Sequence, residues 1–471
     1  MKNRILSILF FLPSVLFAQQ IIVSEDIPLR NDAAYELIGE LKGNMLLFRD
    51  QNLSYEVQGF NEQMRMTWSK ELELDKRNPK VLGIATSKDD FTLFYRFRDK
   101  GNTILKAHKY DPAAELIDSA TVSDLGFLFF TPSFEIIRSE DRSKALIYFV
   151  EKQEILRAFS YDIDSMQLLW EKSFPLENFS YNHDFQQILV DNDGNMQFIL
   201  IRDNFRSRRK PHHFEVVAHY GTEDKTESYK VYIDERLTYD VYFAYDNLNK
   251  RLVAGGLFSD RNPEKALGTY YLNVDPKNPE DRVLNFMEFD PEFVSNIKGK
   301  EVDKNKGLTE LSVQEIVLRR DGGILLIVEQ NRRLERLGGN AGRFYDSGRF
   351  STDYYYDELF VVSIHPDGQE HWKTILHKKQ YSQDDNGIYS SYFLFKTPSS
   401  LRFLFNDEIR PENTVSEYVL NGRGEFDRNS LLSTENLELR LRFRDAIQVD
   451  ANRMVIPSER RNRLKLVRLD Y

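Results

Sequence analysis

The sequence predicts an all-β fold: a single eight-bladed β-propeller of four-stranded antiparallel blades, its ring closed by the N-terminal strand, with seven blades the alternative count. Three observations predict it. Apolar runs of strand length recur about every fifty residues, polar turns precede them, and the last repeat is one strand short while an orphan run stands near the N-terminus.

The recurrent runs read MLLFRDQN from Met45, FTLFYRFRD from Phe91, ALIYFVEKQ from Ala145, MQFILIRDN from Met196, RLVAGGLFSD from Arg251, ILLIVEQN from Ile324, LRFLFNDEI from Leu401 and RMVIPSER from Arg453. Start-to-start spacings are 46 to 55 residues, with two enlarged steps of 73 and 77. That is the range of propeller blades. Turns such as Lys42-Gly43-Asn44 and Asp321-Gly322-Gly323 stand ahead of the runs, and their residues tolerate the positive φ of tight hairpins. Asp191 to Asn195 lacks the glycine at loop position six and the glutamate at twelve of a calcium-binding EF-hand, so it is read as a turn.

The three tryptophans fall in equivalent fourth runs: Trp68 in MRMTWSKEL, Trp170 in MQLLWEKSF and Trp372 in QEHWKTIL. Each is expected to pack an outer strand against the neighbouring blade. The eighth unit, with its first run near Arg444 to Val449, stops at Asp470-Tyr471 after three runs. The orphan run QIIVSEDIPL, residues 20–29, is expected to supply its fourth strand and leave no free sheet edge.

Lys2, Arg4 and the apolar stretch Ile5 to Phe17, followed by Ala18, read as a secretory signal cleaved after Ala18, which leaves 453 residues in the periplasm or outside the cell. No later segment is long and apolar enough for a membrane span, and Phe127-Leu128-Phe129-Phe130 is read as an interior cluster. Absence of cysteine excludes a disulfide framework, a thiol nucleophile, a cysteine zinc site and an acylated N-terminal cysteine. Losing Lys2 and Arg4 takes the net charge from −10 to −12, a balance that argues against nucleic acid as a partner.

Asp162 stands eight residues before Trp170, with Ser165-Met166 between them. In this spacing the chain resembles the eight-bladed quinoprotein-dehydrogenase-like, or PQQ-like, propellers, whose blades carry an Asp-x-x-Thr-Gly turn and then a tryptophan. Here Ser-Met replaces Thr-Gly. The resemblance covers the whole mature chain as architecture and three blades as motif. It implies a fold. Quinoprotein enzymes of that superfamily typically carry an adjacent-cysteine disulfide over the cofactor and bind calcium through carboxylate and amide ligands. A chain without cysteine is closer to the non-enzymatic members, including an envelope assembly factor that scaffolds outer-membrane protein insertion. DELFVVSIHPDG, Lys378-Lys379-Gln380 and Tyr389-Ser390-Ser391-Tyr392 also look like a set of uncharacterised secreted bacterial proteins. That likeness implies no known activity.

Propeller function sits on loops. Those between second and third runs are basic: Arg206, Arg208, Arg209 and Lys210 in unit four, Arg332, Arg333 and Arg336 in unit six, Arg410 in unit seven, and Arg460 and Arg461 in unit eight. The enlarged loop of unit six, Asn331 to Asp357, adds Arg343, Phe344, Tyr345, Arg349, Phe350, Tyr354, Tyr355 and Tyr356. This is the composition of peptide- or sugar-contacting surfaces; the competing reading is a loop folded over its own blade. Asp290 to Glu310 reads as a mobile, lysine-rich insertion with one short helix. His212, His213 and His219 do not form a metal spacing, and no nucleophile elbow or zinc-binding helix occurs. No catalytic, cofactor-binding or metal-binding residue is therefore assigned. The expectation is a monomeric, non-enzymatic secreted module that binds or scaffolds an unknown protein, peptide or glycan. Its rival is an envelope hydrolase, lyase or oxidoreductase whose site assembles only at the channel mouth.

Overall fold

The computed structural model describes residues 20–471 except 53, 76–78, 208, 305, 338–349, 408, 410–413 and 434–436. The predicted signal segment lies outside the described residues. Eight antiparallel sheets form the blades, and in seven of them the four blade strands form a meander whose neighbours in space are neighbours in sequence. Blade one runs Ala34–Leu41, Asn44–Asp50, Tyr55–Phe60 and Met66–Glu71; blade eight has Ile447–Gln448, Arg453–Arg460 and Arg463–Asp470. Its fourth strand is Gln20–Val23, antiparallel to Arg463–Asp470 with Gln20 opposite Asp470. The orphan run closes the ring as expected. The first strand of blade eight is shorter than the sequence suggests: Phe443–Asp445 forms a 3₁₀ turn and only Ile447–Gln448 pairs as strand.

First strands of successive blades are innermost and bond to one another around the axis. Thr86 Oγ1 donates to the Ile38 carbonyl at 2.8 Å, and Gln187 both donates to the Phe243 carbonyl (2.8 Å) and accepts from its amide (2.9 Å). These side chains satisfy backbone groups along strand edges that have no further strand to pair with. Turns between first and second strands, and between third and fourth, share one end of the ring. Turns between second and third strands share the other, called here the upper face, together with the connections between blades.

Eight apolar clusters fill the eight spaces between blades. The last joins Leu464 and Leu466 of blade eight to Leu37, Met45 and Leu47 of blade one. Stacking neighbours buries what a single blade cannot. Trp170 sits in the cluster between blades three and four, and its Nε1 donates to the Gly194 carbonyl at 2.9 Å. Trp372 reaches blade seven likewise, donating to Gly422 at 3.1 Å.

Two of the next three segments differ from expectation, and the short helix expected in the other is present. Residues 331–337 and 350–357 are strand rather than loop: they belong to Ile324–Leu337 and Phe350–Ile364, the paired central strands of blade six. In Asp290 to Glu310, helix Pro291–Lys298 is capped by Asp290, which accepts from the Phe293 amide, and it buries Phe293, Val294 and Ile297 between blades five and six. The Phe127–Phe130 stretch is not interior. Leu128 is buried, whereas Phe127, Phe129 and Phe130 are 68%, 77% and 82% exposed on the upper face.

Candidate functional site at the channel mouth

The hairpin of blade six stands on the upper face because arginine and tyrosine pair across it. Arg332 lies opposite Tyr355, and Arg333 opposite Tyr354. The Arg332 guanidinium is 4.3 Å above the Tyr355 ring, and Arg336 Nε is 2.5 Å from Asp353 Oδ2. A fifth strand, Gln380–Gln383, lines up against residues 353–356. The Tyr381 ring lies 5.2 Å from Tyr355, tilted by 46°, and its hydroxyl donates to Asp353 at 2.8 Å. Tyr354 is buried, its hydroxyl donating to Asn386 at 3.2 Å. Arg332, Arg333 and Arg336 stay exposed, with Glu310, Glu335 and Asp353 as respective partners. Arg343, Phe344, Tyr345 and Arg349 lie outside the described residues, as does Arg208; Phe350 is described as strand only. Arg206 and Arg209 are exposed on the upper face at blade four, two blades round the ring, and do not join the hairpin.

Beneath the hairpin a sealed polar cluster fixes the connection to blade seven. Lys378 Nζ lies 2.6 Å from Glu329 Oε1, and Ser391 Oγ donates to Glu329 Oε2 at 2.7 Å. Gln380 donates to the Asn406 carbonyl (2.7 Å) and accepts from the Ser391 amide (2.8 Å). Asn406 in turn donates to the Tyr389 and Leu441 carbonyls, each at 2.9 Å. The Lys-Lys-Gln and Tyr-Ser-Ser-Tyr motifs are therefore one cluster that ties blades six, seven and eight together. It also positions Tyr389, whose hydroxyl donates to the Glu459 carbonyl of blade eight at 3.0 Å.

Tyr389 meets residues that the loop-based reading of the sequence missed. Between blades seven and eight the chain alternates: Leu439, Leu441 and Phe443 point into the core, and Arg440, Arg442 and Arg444 point away from it. Arg440 stacks 3.7 Å above Tyr389, Arg442 5.4 Å above Tyr35, and Arg444 4.7 Å above Tyr356. Arg440 pairs with Asp385 at 3.3 Å; Arg442 pairs with Asp445 at 2.5 Å and with Glu459. Arg444 is exposed and has no acidic partner among the described residues. Period-two alternation of arginine with apolar residues is the signal that marks this ladder.

Arg442 and Arg444 open onto an axial cavity of about 1170 Å³ lined by inner strands of blades one, two, three, seven and eight. Its carboxylates are matched by cations: Glu36 with Arg138 at 3.6 Å, and Glu40 with Arg453 at 3.2 Å. Desolvation by the channel walls raises the half-exposed Glu36 carboxyl above its ordinary range despite Arg138, and burial raises the Tyr35 and Tyr389 hydroxyls. The mouth thus offers fixed guanidinium planes on aromatic rings, a geometry suited to carboxylates and planar groups. Among the described residues no cluster of three histidine, aspartate or glutamate side chains is arranged to hold a metal ion.

No protein-family model matches the chain, and no curated protein matches it. Several solved structures are similar in fold at very low identity. The uncharacterized protein lmo1340 from Listeria monocytogenes EGD-e is 9% identical, with 75% of this chain and 82% of that chain covered and a TM-score of 0.38. The WD40 domain of SCAP from fission yeast is 8% identical, with 96% and 94% covered and a TM-score of 0.43. Porphyromonas gingivalis dipeptidyl peptidase 4 is 10% identical, with 90% of this chain and 56% of that chain covered and a TM-score of 0.46. The strand pairing itself identifies the chain as an all-β, eight-bladed β-propeller whose ring is closed by its N-terminal strand.

Proposed function

We propose that this protein is a binding or scaffold module that engages a protein, peptide or glycan partner at the channel mouth. The observation that carries the reading is the set of three arginines stacked on Tyr389, Tyr35 and Tyr356. Arginine and tyrosine dominate binding hot spots because both bury planar surface while keeping directional polar groups. Arg444, which has no carboxylate partner among the described residues, favours an anionic group on the partner. The exposed arginines of the blade-six hairpin extend the contact outward. The signal-like N-terminus supports action after export, the Asp162–Trp170 spacing supports kinship with the PQQ-like propellers, and the lack of cysteine favours their non-enzymatic members. The test is affinity isolation from the native source with wild-type protein and an Arg444→Ala/Tyr389→Ala variant. A partner held by wild type and released by the variant supports the reading; identical partners overturn it.

A second reading, a hydrolase or lyase acting in the channel, rests on Glu36, which lines the axial cavity and whose carboxyl is raised above its ordinary range by desolvation there. Turnover of an envelope-derived substrate that Glu36→Gln abolishes without loss of binding would favour it.

A further inference from the structure

Two stretches from opposite ends of the chain meet at the seam of the ring. Residues 24–32 leave the last strand of blade eight and cross the upper face as a strap. There Ile27 and Pro28 pair with Leu464 and Arg463, and the Leu29 amide donates to the Asn462 carbonyl at 2.9 Å. Between the strap and the Arg460–Arg463 turn lies a cleft of about 1060 Å³, separate from the arginine ladder though it shares Asp32 and Asn462 with the axial cavity.

Its charge is lopsided. The lining carries six cations (Arg30, Arg49, Arg460, Arg461, Arg463 and Lys465) against three acids, on a chain of net charge −10. Each acid is already engaged. Asp32 holds Arg49 at 2.7 Å, Asp26 holds Arg463 at 2.7 Å and Lys465 at 3.8 Å, and Glu438 holds Arg460 at 3.6 Å. Arg30 and Arg461 are left exposed, one on each wall, without an acidic partner among the described residues. Local folding does not account for Arg461. It sits at φ 52° and Asn462 at φ 59°, left-handed positions of a two-residue hairpin turn where asparagine and glycine are the cheaper choice.

We propose that this cleft is a second binding site, for an acidic peptide segment, whose occupant clamps the two ends of the chain together. Guanidinium forks on both walls suit carboxylates spaced along an extended chain. The amides of Asn31, Gln51 and Asn462 line the same cleft and suit a peptide backbone. No aromatic ring lines it, which disfavours a sugar platform, and its concavity disfavours a lipid surface. A ligand touching both walls binds the closed seam and not the open one, so occupancy holds the ring shut by mass action.

The test is titration of the full chain with hexaglutamate, read by calorimetry and by amide exchange at Ile27 and Leu464. Hexaglutamate is expected to bind and to slow exchange at both positions severalfold. Arg30→Ala with Arg461→Gly, which keeps the turn and removes both charges, is expected to weaken binding at least tenfold and to abolish the slowing. Arg444→Ala at the channel mouth is expected to leave both readouts unchanged, so this site stands or falls apart from that one. Failure to bind, undiminished binding by the double variant, or exchange that ignores the ligand overturns the proposal. Tighter binding of a sulfated glycan or of inorganic phosphate overturns its peptide class.

Discussion

Lys378 Nζ and Glu329 Oε1 lie 2.6 Å apart with side chains 1% and 0% exposed, an ion pair sealed where blades six and seven join. Two desolvated charges stabilise little as a pair, yet removing one strands the other. Lys378→Met is therefore expected to destabilise the protein by about 3–5 kcal/mol. Adding Glu329→Gln should recover part of the loss. Urea melts of both variants check it, and equal losses would count against the pair as the cause.

Trp170 and Trp372 occupy the same slot in different blades but differ in burial. Trp170→Ala is expected to cost about 3–5 kcal/mol, and Trp372→Ala less because its ring is partly exposed. Gly221→Ala should mimic the first, since a Cβ there would stand 2.1 Å from Trp170 Cδ1. Thermal melts of the three variants give the ranking.

His108 and His212 make stability depend on pH. His108 lies between the Tyr95 and Tyr110 hydroxyls at 2.9 and 3.1 Å, with Asp75 at 3.6 Å. Burial, reinforced by the Lys106 charge, pushes its pKa down to about 4. Burial likewise lowers His212 to about 4, against the opposing pull of the Arg202 carbonyl. Above the unfolded value of about 6.5 neither state holds these protons and nothing is lost. As pH falls towards 4 the unfolded chain takes up protons that the folded one refuses, so stability drops by about 1.4 kcal/mol per pH unit per histidine. Denaturant melts at pH 7.5 and 5 should show the fall, and His108→Gln/His212→Gln should flatten it.

Deleting residues 20–28 removes the outermost strand of blade eight and bares the edge of Arg463–Asp470. An unpaired edge recruits other chains. The truncated protein is expected to melt lower and to self-associate, which light scattering on matched samples would reveal.

How much of this was legible depended on which period dominated locally. Runs such as ALIYFVEKQ carry strand character in their own residues, so blades, turns and closure could be read directly. In linear order the Arg-, Gly- and Tyr-rich stretch of unit six looks like an interruption between strands. Cross-strand pairing of Arg332 with Tyr355, invisible in linear order, keeps the strands going. The Leu439–Arg444 alternation is short and runs directly into the first run of unit eight, so its arginines do not stand out as a separate ladder in linear order. Phe127, Phe129 and Phe130 look like core by composition; only their place on an inter-blade connection exposes them. Tyr356 stands out in the sequence among the aromatic residues of unit six, but its partner Arg444 lies 88 positions away and only folding joins them.

The bond from the Leu466 amide to Ser24 Oγ spans 442 positions of sequence. Closing a loop of that length carries a large entropy deficit before any contact repays it, so the seam belongs to the slowest stage of folding. Blades can assemble one upon the next while the chain is still emerging, but the ring cannot. Until the final hairpin appears, the strap and strand Gln20–Val23 wait without a partner, and the molecule passes through an open arc with two sticky ends. The timing of closure, more than the stability of any blade, therefore sets how long the newborn chain stays vulnerable to aggregation and proteolysis.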